Sequence, residues 1–499
     1  GQVRLCWNRH VSLSASIPEN GHHLMKNTFN NGLSRRSFLA AAGAAAGVAA
    51  VPAWAAPSLP LRQFDLAAAP GSTHLVDSDG TKTKVWSYNG RVPGPEIRIR
   101  QGERLRVAVS NGLAEETTIH WHGLRVPHAM DGVPHLTQKP IAPGETFVYE
   151  FDTPDAGTYW YHPHQRSFEQ VGRGLYGPLI IEEPNPPQVD RDVTWVLDDW
   201  RLLKDAQISE DFGNRHDMSH AGRIGNTVTV NGRITDIFEA MAGERIRLRL
   251  INAANARIFG LEFDGHTPWV IAYDGQPVDP HQVTGRLDIG PAMRIDLILD
   301  LTGSPGDAFA VRDTFYSRLK YRLLNVVYGP KRLRDKPMRE VAALPDNTMP
   351  EPNLASAERH HIAFGGGMMG GMSMAKMGGR DVGMMEMMRN GKAWTVNGVA
   401  ATGHVMDPIL TLARNRSYIL ALDNQTAWYH PIHLHGHSFR VISRNGEPTR
   451  HKEWQDTVLM APREQVEIAF VADNPGGWMF HCHILEHQAG GMMGVIQVT

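Results

Sequence analysis

Four short histidine clusters carry the chemistry this chain could do: His120-Trp121-His122-Gly123, His162-Pro163-His164, His430-Pro431-Ile432-His433-Leu434-His435, and His481-Cys482-His483 followed by His487 and Met492. On a β-strand, side chains at i and i+2 share a face, so each H-x-H pair can present two imidazoles to one point. Eight imidazoles in four such pairs suit a multinuclear metal cluster. A single pair is often an accident of surface or core, whereas four at equivalent ends of repeated segments are not. Cys482 lies between two pair histidines and therefore points to the opposite face of its strand, where it can meet His430, His487 and Met492. Two His, one Cys thiolate and a weak axial Met form the ligand set of a blue copper electron-transfer site. A free Cys is more often a small buried hydrophobe. Its neighbours argue against that here, and Pro163 at the equivalent place in the earlier pair leaves one segment able to build such a site.

The elements that must position these residues come from an internal repeat. The first copy has Tyr88-Asn89-Gly90, then Gly102-Glu103-Arg104 with alternating Leu105, Val107 and Val109, ending at Asn111. Val230-Asn231-Gly232, Gly243-Glu244-Arg245 and Ile246, Leu248, Leu250 up to Asn252 form the second, and Val396-Asn397-Gly398 with Tyr418, Leu420, Leu422 up to Asn424 the third. Period-two apolar alternation bounded by Asn-Gly turns predicts half-buried strands, and their regular spacing predicts three β-sandwiches in tandem. Residues 142–164 (APGETFVYEFDTPDAGTYWYHPH) align without a gap on 461–483 (APREQVEIAFVADNPGGWMFHCH), while the middle copy from Pro291 matches the strand portion alone. Nine residues beyond Asn111, Asn252 and Asn424 stand His120, Leu261 and His433, and two further stand His122, Phe263 and His435. The outer repeats therefore share the chemistry, and the middle one is a spacer.

HWHG, HPH, HPIHLHGH and HCHILEHQAGGMM resemble the four signature motifs of the multicopper oxidases, the family of laccases, ascorbate oxidase and bacterial copper-efflux oxidases, over essentially the whole mature chain. The resemblance implies an all-β fold of three tandem cupredoxin-like Greek-key β-sandwich domains and a cofactor of four copper ions. It implies a type 1 copper on His430, Cys482, His487 and Met492, and a type 2 copper on His120 and His433. A type 3 pair would occupy His122, His162, His164, His435, His481 and His483. Substrate electrons would enter at the type 1 site and pass through the Cys482 thiolate and adjacent backbone to His481 and His483, and four such transfers would reduce dioxygen to water. Asp131, nine residues beyond His122, matches the acidic residue that assists proton delivery in the family, although Asp131-Gly132 also reads as an ordinary turn. Bacterial relatives often carry Glu directly after the second type 1 His; Gln488 stands there and cannot supply an acidic proton, and Glu486 is not a ready substitute.

Residues 365–388 hold Met368, Met369, Met372, Met374, Met377, Met384, Met385, Met387 and Met388 among many glycines. Such a run is expected to build no packed core and to form a mobile loop or partly helical flap. It would serve as a linker or plastic apolar surface, or capture Cu(I) through its soft thioethers. The second reading is favoured because this segment resembles the Met-rich insertion of copper-efflux oxidases in composition and placement. In those relatives an acidic residue and a Met precede the first His of the third motif; Thr426 and Trp428 stand there instead, so a cuprous site would need Met-segment residues and Asp456. Phenol oxidation, or oxidation of Fe(II) or Mn(II), is the competing enzymatic reading. A copper-storage protein or a copper-free cell-division scaffold of this fold fits less well with all twelve ligand positions filled.

Composition sets the remaining bounds. With 499 residues, 42% hydrophobic and 20% charged, the chain is globular and long enough for several domains. A formal net charge of -2 gives no general attraction to polyanions, so no nucleic acid or acidic membrane is expected as partner. Cys6 and Cys482 are the two cysteines, so a disulfide framework is excluded. Ser34-Arg35-Arg36-Ser37-Phe38-Leu39 resembles a twin-arginine export signature, leading into an apolar run at 40–51 and a small-x-small cleavage site at Ala53-Trp54-Ala55. Residues 1–24 read as upstream of a start at Met25. The expected division is 1–56 for upstream and export segments, 57–188 for the first domain, 189–345 for the copper-free second, and 346–499 for the third. A periplasmic protein without stable membrane insertion is expected, and a monomer suffices because one chain holds the whole site.

Overall fold

Residues 59–76, 80–336, 338–371 and 374–499 are described by a computed structural model; the export segment, Cys6 and Met372 lie outside them. The three Asn-Gly pairs adopt one conformation, with Asn89, Asn231 and Asn397 at φ 54°, 53° and 50° and Gly90, Gly232 and Gly398 at 73°, 75° and 74°. Two successive left-handed residues make a tight turn whose twist suits the flanking strands, which is why Asn-Gly is used. The asparagines that end the repeats are equally alike. Asn111 Nδ2 donates to the carbonyls of Glu115 and Ile141 at 2.8 and 2.9 Å, Asn252 to Arg257 and Ile289 at 2.8 and 2.9 Å, and Asn424 to Trp428 and Ala461 at 2.8 and 2.7 Å. Each buried amide pins the loop that delivers the next strand, and in the outer two repeats that strand carries the histidines.

The chain folds as three tandem β-sandwiches. In each, the leading strand pairs in parallel with the strand that ends in the buried asparagine: Leu61–Thr73 with Arg104–Asn111, Arg191–Trp200 with Arg245–Asn252, and Glu358–Gly366 with Ser417–Asn424. The following antiparallel neighbours are Thr146–Asp152, Arg294–Asp300 and Gln465–Val471. The second sheet of the first sandwich runs Ile97–Arg100, Gly177–Glu182, Gly157–His162, His120–His122, and that of the third runs Leu410–Leu412, Met493–Val498, Gly476–Cys482, His430–Leu434, Thr457–Met460. Their registers set His120 opposite His162 and His433 opposite His481. The gapless alignment of 142–164 on 461–483 is thus a shared strand geometry.

Each sandwich has its own apolar core. Leu261 and Phe263, on the strand Phe259–Phe263, belong to the middle one. No helix among the described residues is long and apolar enough to cross a membrane. The Met-rich stretch is partly helical, as one of the two readings expected, but it departs from expectation in building a core. Met374–Met377 and Arg380–Gly383 form an antiparallel hairpin, Met384–Arg389 is a short helix, and Ala375, Met377, Val382, Met387 and Ala400 close a small core between them. Alternation of Ala375 and Met377 on one hairpin face is enough to make a buried side, a pattern that high glycine content obscures.

Candidate metal centre

The H-x-H strands of the first and third sandwiches bring all eight pair histidines into one buried cluster. His120 stacks on His435 with ring centroids 3.9 Å apart, and His122 on His433 at 3.8 Å, so each contact joins the two domains. His435 Nε2 and His481 Nε2 are 3.0 Å apart, and His164 joins them in one candidate triad. His162 Nε2 and His483 Nε2 are 3.3 Å apart, with the His122 ring 4.9 Å from that of His483. Two imidazole nitrogens bound at about 2.0–2.1 Å to one tetrahedral ion lie about 3.3 Å apart, so these separations suit shared metals.

Unpartnered nitrogens give the stronger fit. His120 Nε2, His122 Nδ1, His164 Nε2 and His433 Nε2 are all buried without a hydrogen-bond partner, which a native interior seldom tolerates unless something binds there. The opposite nitrogens are held. His120 Nδ1 donates to the Asp131 carbonyl at 2.8 Å and His433 Nδ1 to the Asp456 carbonyl at 2.8 Å, leaving Nε2 of each as the free ligand atom. In His122 the roles reverse: Nε2 lies 3.0 Å from both Asp456 Oδ1 and Thr457 Oγ1, and Nδ1 is free. Such outer contacts fix the tautomer and aim of a metal-binding imidazole. Burial, assisted by neighbouring imidazoles, pushes His122, His162, His164, His435, His481 and His483 well below the usual histidine range, so they are neutral and able to ligate.

Asp131 is fully buried and touches both outer domains. Its Oδ2 accepts from His435 Nδ1 at 2.8 Å while its carbonyl accepts from His120. The turn reading holds as well, since Gly132 sits at φ 80° with Ile119 backbone packed where a Cβ would stand. Asp456 departs from expectation: it does not join the Met-rich stretch but lies against His122 and His433. Burial opposes its ionisation, yet the Arg294 guanidinium and the His433 contact outweigh that and hold it well below the usual carboxylate range. Gln488 faces the cluster, with Nε2 3.4 Å from His164 Nδ1 and Oε1 accepting from Ser167 at 3.3 Å. Glu486 turns away to the middle sandwich, accepting from Arg223 N at 3.1 Å and Asn255 Nδ2 at 3.0 Å, and burial pushes its carboxyl up to about 7.

A second candidate site lies on the other face of the strand Gly476–Cys482, inside the third core. Cys482 Sγ is 3.4 Å from His430 Nδ1 and 3.6 Å from His487 Nδ1, and these nitrogens are 3.1 Å apart. Met492 is buried in the same cluster, its carbonyl accepting from Cys482 N at 3.1 Å. Burial pushes the Cys482 thiol up, so a metal must displace its proton. The outer nitrogens are capped: His430 Nε2 by Thr426 Oγ1 at 2.8 Å, His487 Nε2 by the His220 carbonyl at 2.6 Å. Trp394 packs 4.2 Å from the His487 ring. Over this cap, Met368 N donates to the Ser219 carbonyl and its own carbonyl accepts from Trp428 Nε1, both at 2.9 Å. Of the methionines proposed to capture Cu(I), Met368, Met369, Met374 and Met385 are exposed, Met384 and Met388 half-buried, and Met377 and Met387 are core residues with no free thioether to offer.

Arg294, Asp274, Thr457 and His220 escaped the motif reading because each acts across a domain boundary or through its backbone, and Trp394 because it packs on His487 from a strand outside every motif. One signal was present. Arg247, Arg249, Arg294 and Asp296 interrupt apolar strands at positions that prove fully buried, and charges in such places must be paired.

Three sandwiches with one buried Cys-His-His site and one intersandwich histidine cluster define a copper-dependent oxidase architecture. Multicopper oxidase family models match residues 71–186, 191–327 and 380–499. The chain belongs to the multicopper oxidase family, copper enzymes that couple oxidation of a reduced substrate to dioxygen. It is 32% identical over 453 residues to the multicopper oxidase MmcO of Mycobacterium tuberculosis, covering 84% of each chain. The crystal structure of a multi-copper oxidase from Pseudomonas thermotolerans superposes with a TM-score of 0.78 at 35% identity, covering 89% of this chain and all (100%) of that one. A Campylobacter jejuni multicopper oxidase described as a metallo-oxidase matches with a TM-score of 0.72 at 27% identity, over 89% and 94% of the two chains.

Proposed function

We propose that this is a four-copper oxidase whose electron donor is a soft reduced metal ion, Cu(I) foremost, and whose acceptor is dioxygen. The type 1 copper would sit on His430, Cys482, His487 and Met492, the type 2 copper on His120 and His433, and the type 3 pair on His164, His435, His481 and on His122, His162, His483. When bound, these ions supply one-electron acceptance at one site and four-electron reduction of dioxygen to water at the other. The chain supplies the rest. Cys482 is bonded directly to His481 and His483, so one short covalent path links the two sites. Asp131 orients His435 and His120 together and is the carboxylate placed to pass protons to the cluster. Gln488 holds His164 without an acidic proton of its own.

One observation carries the choice of donor: both outer imidazole nitrogens of the type 1 pair are already bonded within the chain, to Thr426 and His220. A phenol that delivers its electron through a direct hydrogen bond to such an imidazole finds neither nitrogen free. Above the cap lie Met368 and Met369, 46% and 73% exposed, whose thioethers favour a soft cation. The description of the Campylobacter jejuni relative agrees with this reading. A broad-specificity phenol laccase is the second reading, favoured by half-buried Trp428 beside the cap, which offers a ring for stacking. We read the site of action as the periplasm, reached through the Arg35-Arg36 segment, the working form as a monomer, and the role as copper tolerance.

The test replaces Met368, Met369, Met374 and Met385 together by Leu, a volume-conserving change. Oxygen uptake should show KM for Cu(I) rising by roughly tenfold or more, the order expected when a metal contact is lost, with the blue absorption intact. An unchanged KM for Cu(I) overturns the Met-surface reading, and a wild-type protein that oxidises phenols but not Cu(I) establishes the laccase reading instead.

A further inference from the structure

The middle sandwich supplies no proposed ligand, yet it reaches the cluster. Its strand Arg294–Asp300 begins with a fully buried guanidinium whose Nη1 and Nη2 donate to Asp456 Oδ1 and Oδ2 at 2.9 and 2.6 Å. Planar two-point pairing of this kind fixes a carboxylate in orientation as well as position. Arg294 Nε donates to the Thr158 carbonyl at 3.0 Å, on the first-domain strand that ends at His162. Asp274, at the tip of a middle-domain hairpin, completes the arrangement: its Oδ1 accepts from Arg294 N at 2.9 Å and its Oδ2 from the backbone N–H groups of Asp456 and Thr457 at 3.1 and 3.0 Å. The far side of Asp456 then meets two cluster histidines, Oδ1 at 3.0 Å from His122 Nε2 and the carbonyl at 2.8 Å from His433 Nδ1.

We infer that Arg294 is a positioning residue for the trinuclear centre: by clamping Asp456 it holds the proton of His122 on Nε2, turns Nδ1 to the metal, and fixes His433. The inference rests on the ligand assignment proposed above. It gives the copper-free domain a part in the chemistry beyond setting a distance. It also accounts for the glycine of the HWHG motif. Gly123 stands at φ 89°, and a Cβ there would collide with Arg294 Nη2 and Asp456 Oδ2. The motif therefore carries two ligands and the space for the clamp that orients one of them.

The experiment compares copper-loaded wild type with Arg294→Met, Arg294→Lys, Asp456→Asn and the Arg294→Met, Asp456→Asn double variant. Four readouts are taken: copper content, the type 2 electron paramagnetic resonance spectrum, the near-ultraviolet absorption of the type 3 pair, and oxygen uptake. The blue type 1 absorption, which arises on the other face of the strand, reports that the protein is folded. Arg294→Met should keep the blue band, alter the type 2 spectrum, weaken the type 3 band and slow oxygen uptake by about 10- to 100-fold, the range typical for outer partners of metal ligands. Arg294→Lys keeps the buried charge but not the fork, so it tests the geometry even if Arg294→Met fails to fold, and its type 2 spectrum should also shift. Because Arg294 acts through Asp456, the double variant should be no slower than Asp456→Asn alone. Wild-type cluster spectra in either Arg294 variant, or single effects that multiply in the double variant, overturn the clamp. A wild-type protein that binds fewer than four coppers overturns the ligand assignment instead.

Discussion

The outer sandwiches and the middle one differ most at two positions of the same strand. Beyond its buried asparagine, the first sandwich carries His120 and His122 and the third His433 and His435, where the middle one carries Leu261 and Phe263. The loop-pinning amide is the same in all three. A common frame thus delivers a strand to the sandwich end, and side-chain chemistry alone decides whether that end is sealed or holds metal. The middle sandwich seals it with core residues and sends its charged groups, Arg294 and Asp274, out between its neighbours. The outer ones leave unpartnered imidazole nitrogens on His120, His122, His164 and His433 in their shared interior.

The harshest test of this contrast removes the one side chain joining the two proposed sites. Cys482→Ser should abolish the blue colour and oxygen uptake while leaving the trinuclear spectra in place, since Cys482 points into the third core and not at the cluster. Retained turnover without blue colour would break the proposed electron route. Pro163 marks why the first sandwich has no counterpart: it occupies the place equivalent to Cys482, and a Pro offers no ligand atom.

Acid should separate the regions next. Burial lowers the folded-state pKa of His122, His162, His164, His430, His433, His435, His481, His483 and His487, the last to about 3. In the unfolded chain the same groups titrate near 6.5. As pH falls below that value the unfolded state takes up protons that the folded state refuses, so their contribution to stability is whole above about pH 6.5 and is lost progressively below it. Each such group can cost up to about 1.4 kcal/mol per pH unit, so together they amount to several kcal/mol by pH 5.5. The urea midpoint of copper-free protein should therefore fall steeply between pH 7.5 and 5.5, and amide exchange should show the outer sandwiches opening before the middle one. A flat midpoint over that interval contradicts the neutral, buried state of the cluster.

Much of this organisation was legible in the sequence, and the reason is local. Asn-Gly turns, period-two alternation and H-x-H spacing are rules between neighbours in the chain, so three sandwiches and the converging histidines could be read from residues such as Asn89, Val107 and His120. The clamp could not be read in the same way, because Arg294, Asp456 and Thr158 lie on three different domains and no spacing relates them. The cap over the proposed type 1 site was hidden for another reason: His220 acts through its backbone carbonyl, which leaves no mark in residue type. The Met-rich stretch misled because composition outweighed pattern. Its glycines suggested a coreless loop or partly helical flap; the helix is present, but Ala375, Met377 and Val382 also alternate as a hairpin should and close a core.

The smallest expected effect concerns whether the middle frame could ever have held metal. Leu261 is fully buried and its strand pairs with Leu287–Ile289 and Ala308–Asp313 on either side. Leu261→His would place an imidazole in the apolar core that holds Leu250, Leu297 and Val311, where the buried carboxylate across the ladder, Asp313, already accepts from Gly260 N, Phe315 N and the Tyr321 hydroxyl. An unpaired buried polar group of this kind costs about 1–3 kcal/mol, added to the lost packing of the leucine. Leu261→Ala should cost about 2–5 kcal/mol by cavity formation alone. Both variants should lower the urea midpoint of the loaded protein, yet keep copper content and the blue band, because the cluster lies between the other two sandwiches. Loss of type 2 or type 3 signal in Leu261→Ala at full occupancy of the folded state would show that the middle core, and not Arg294 alone, governs the geometry of the cluster.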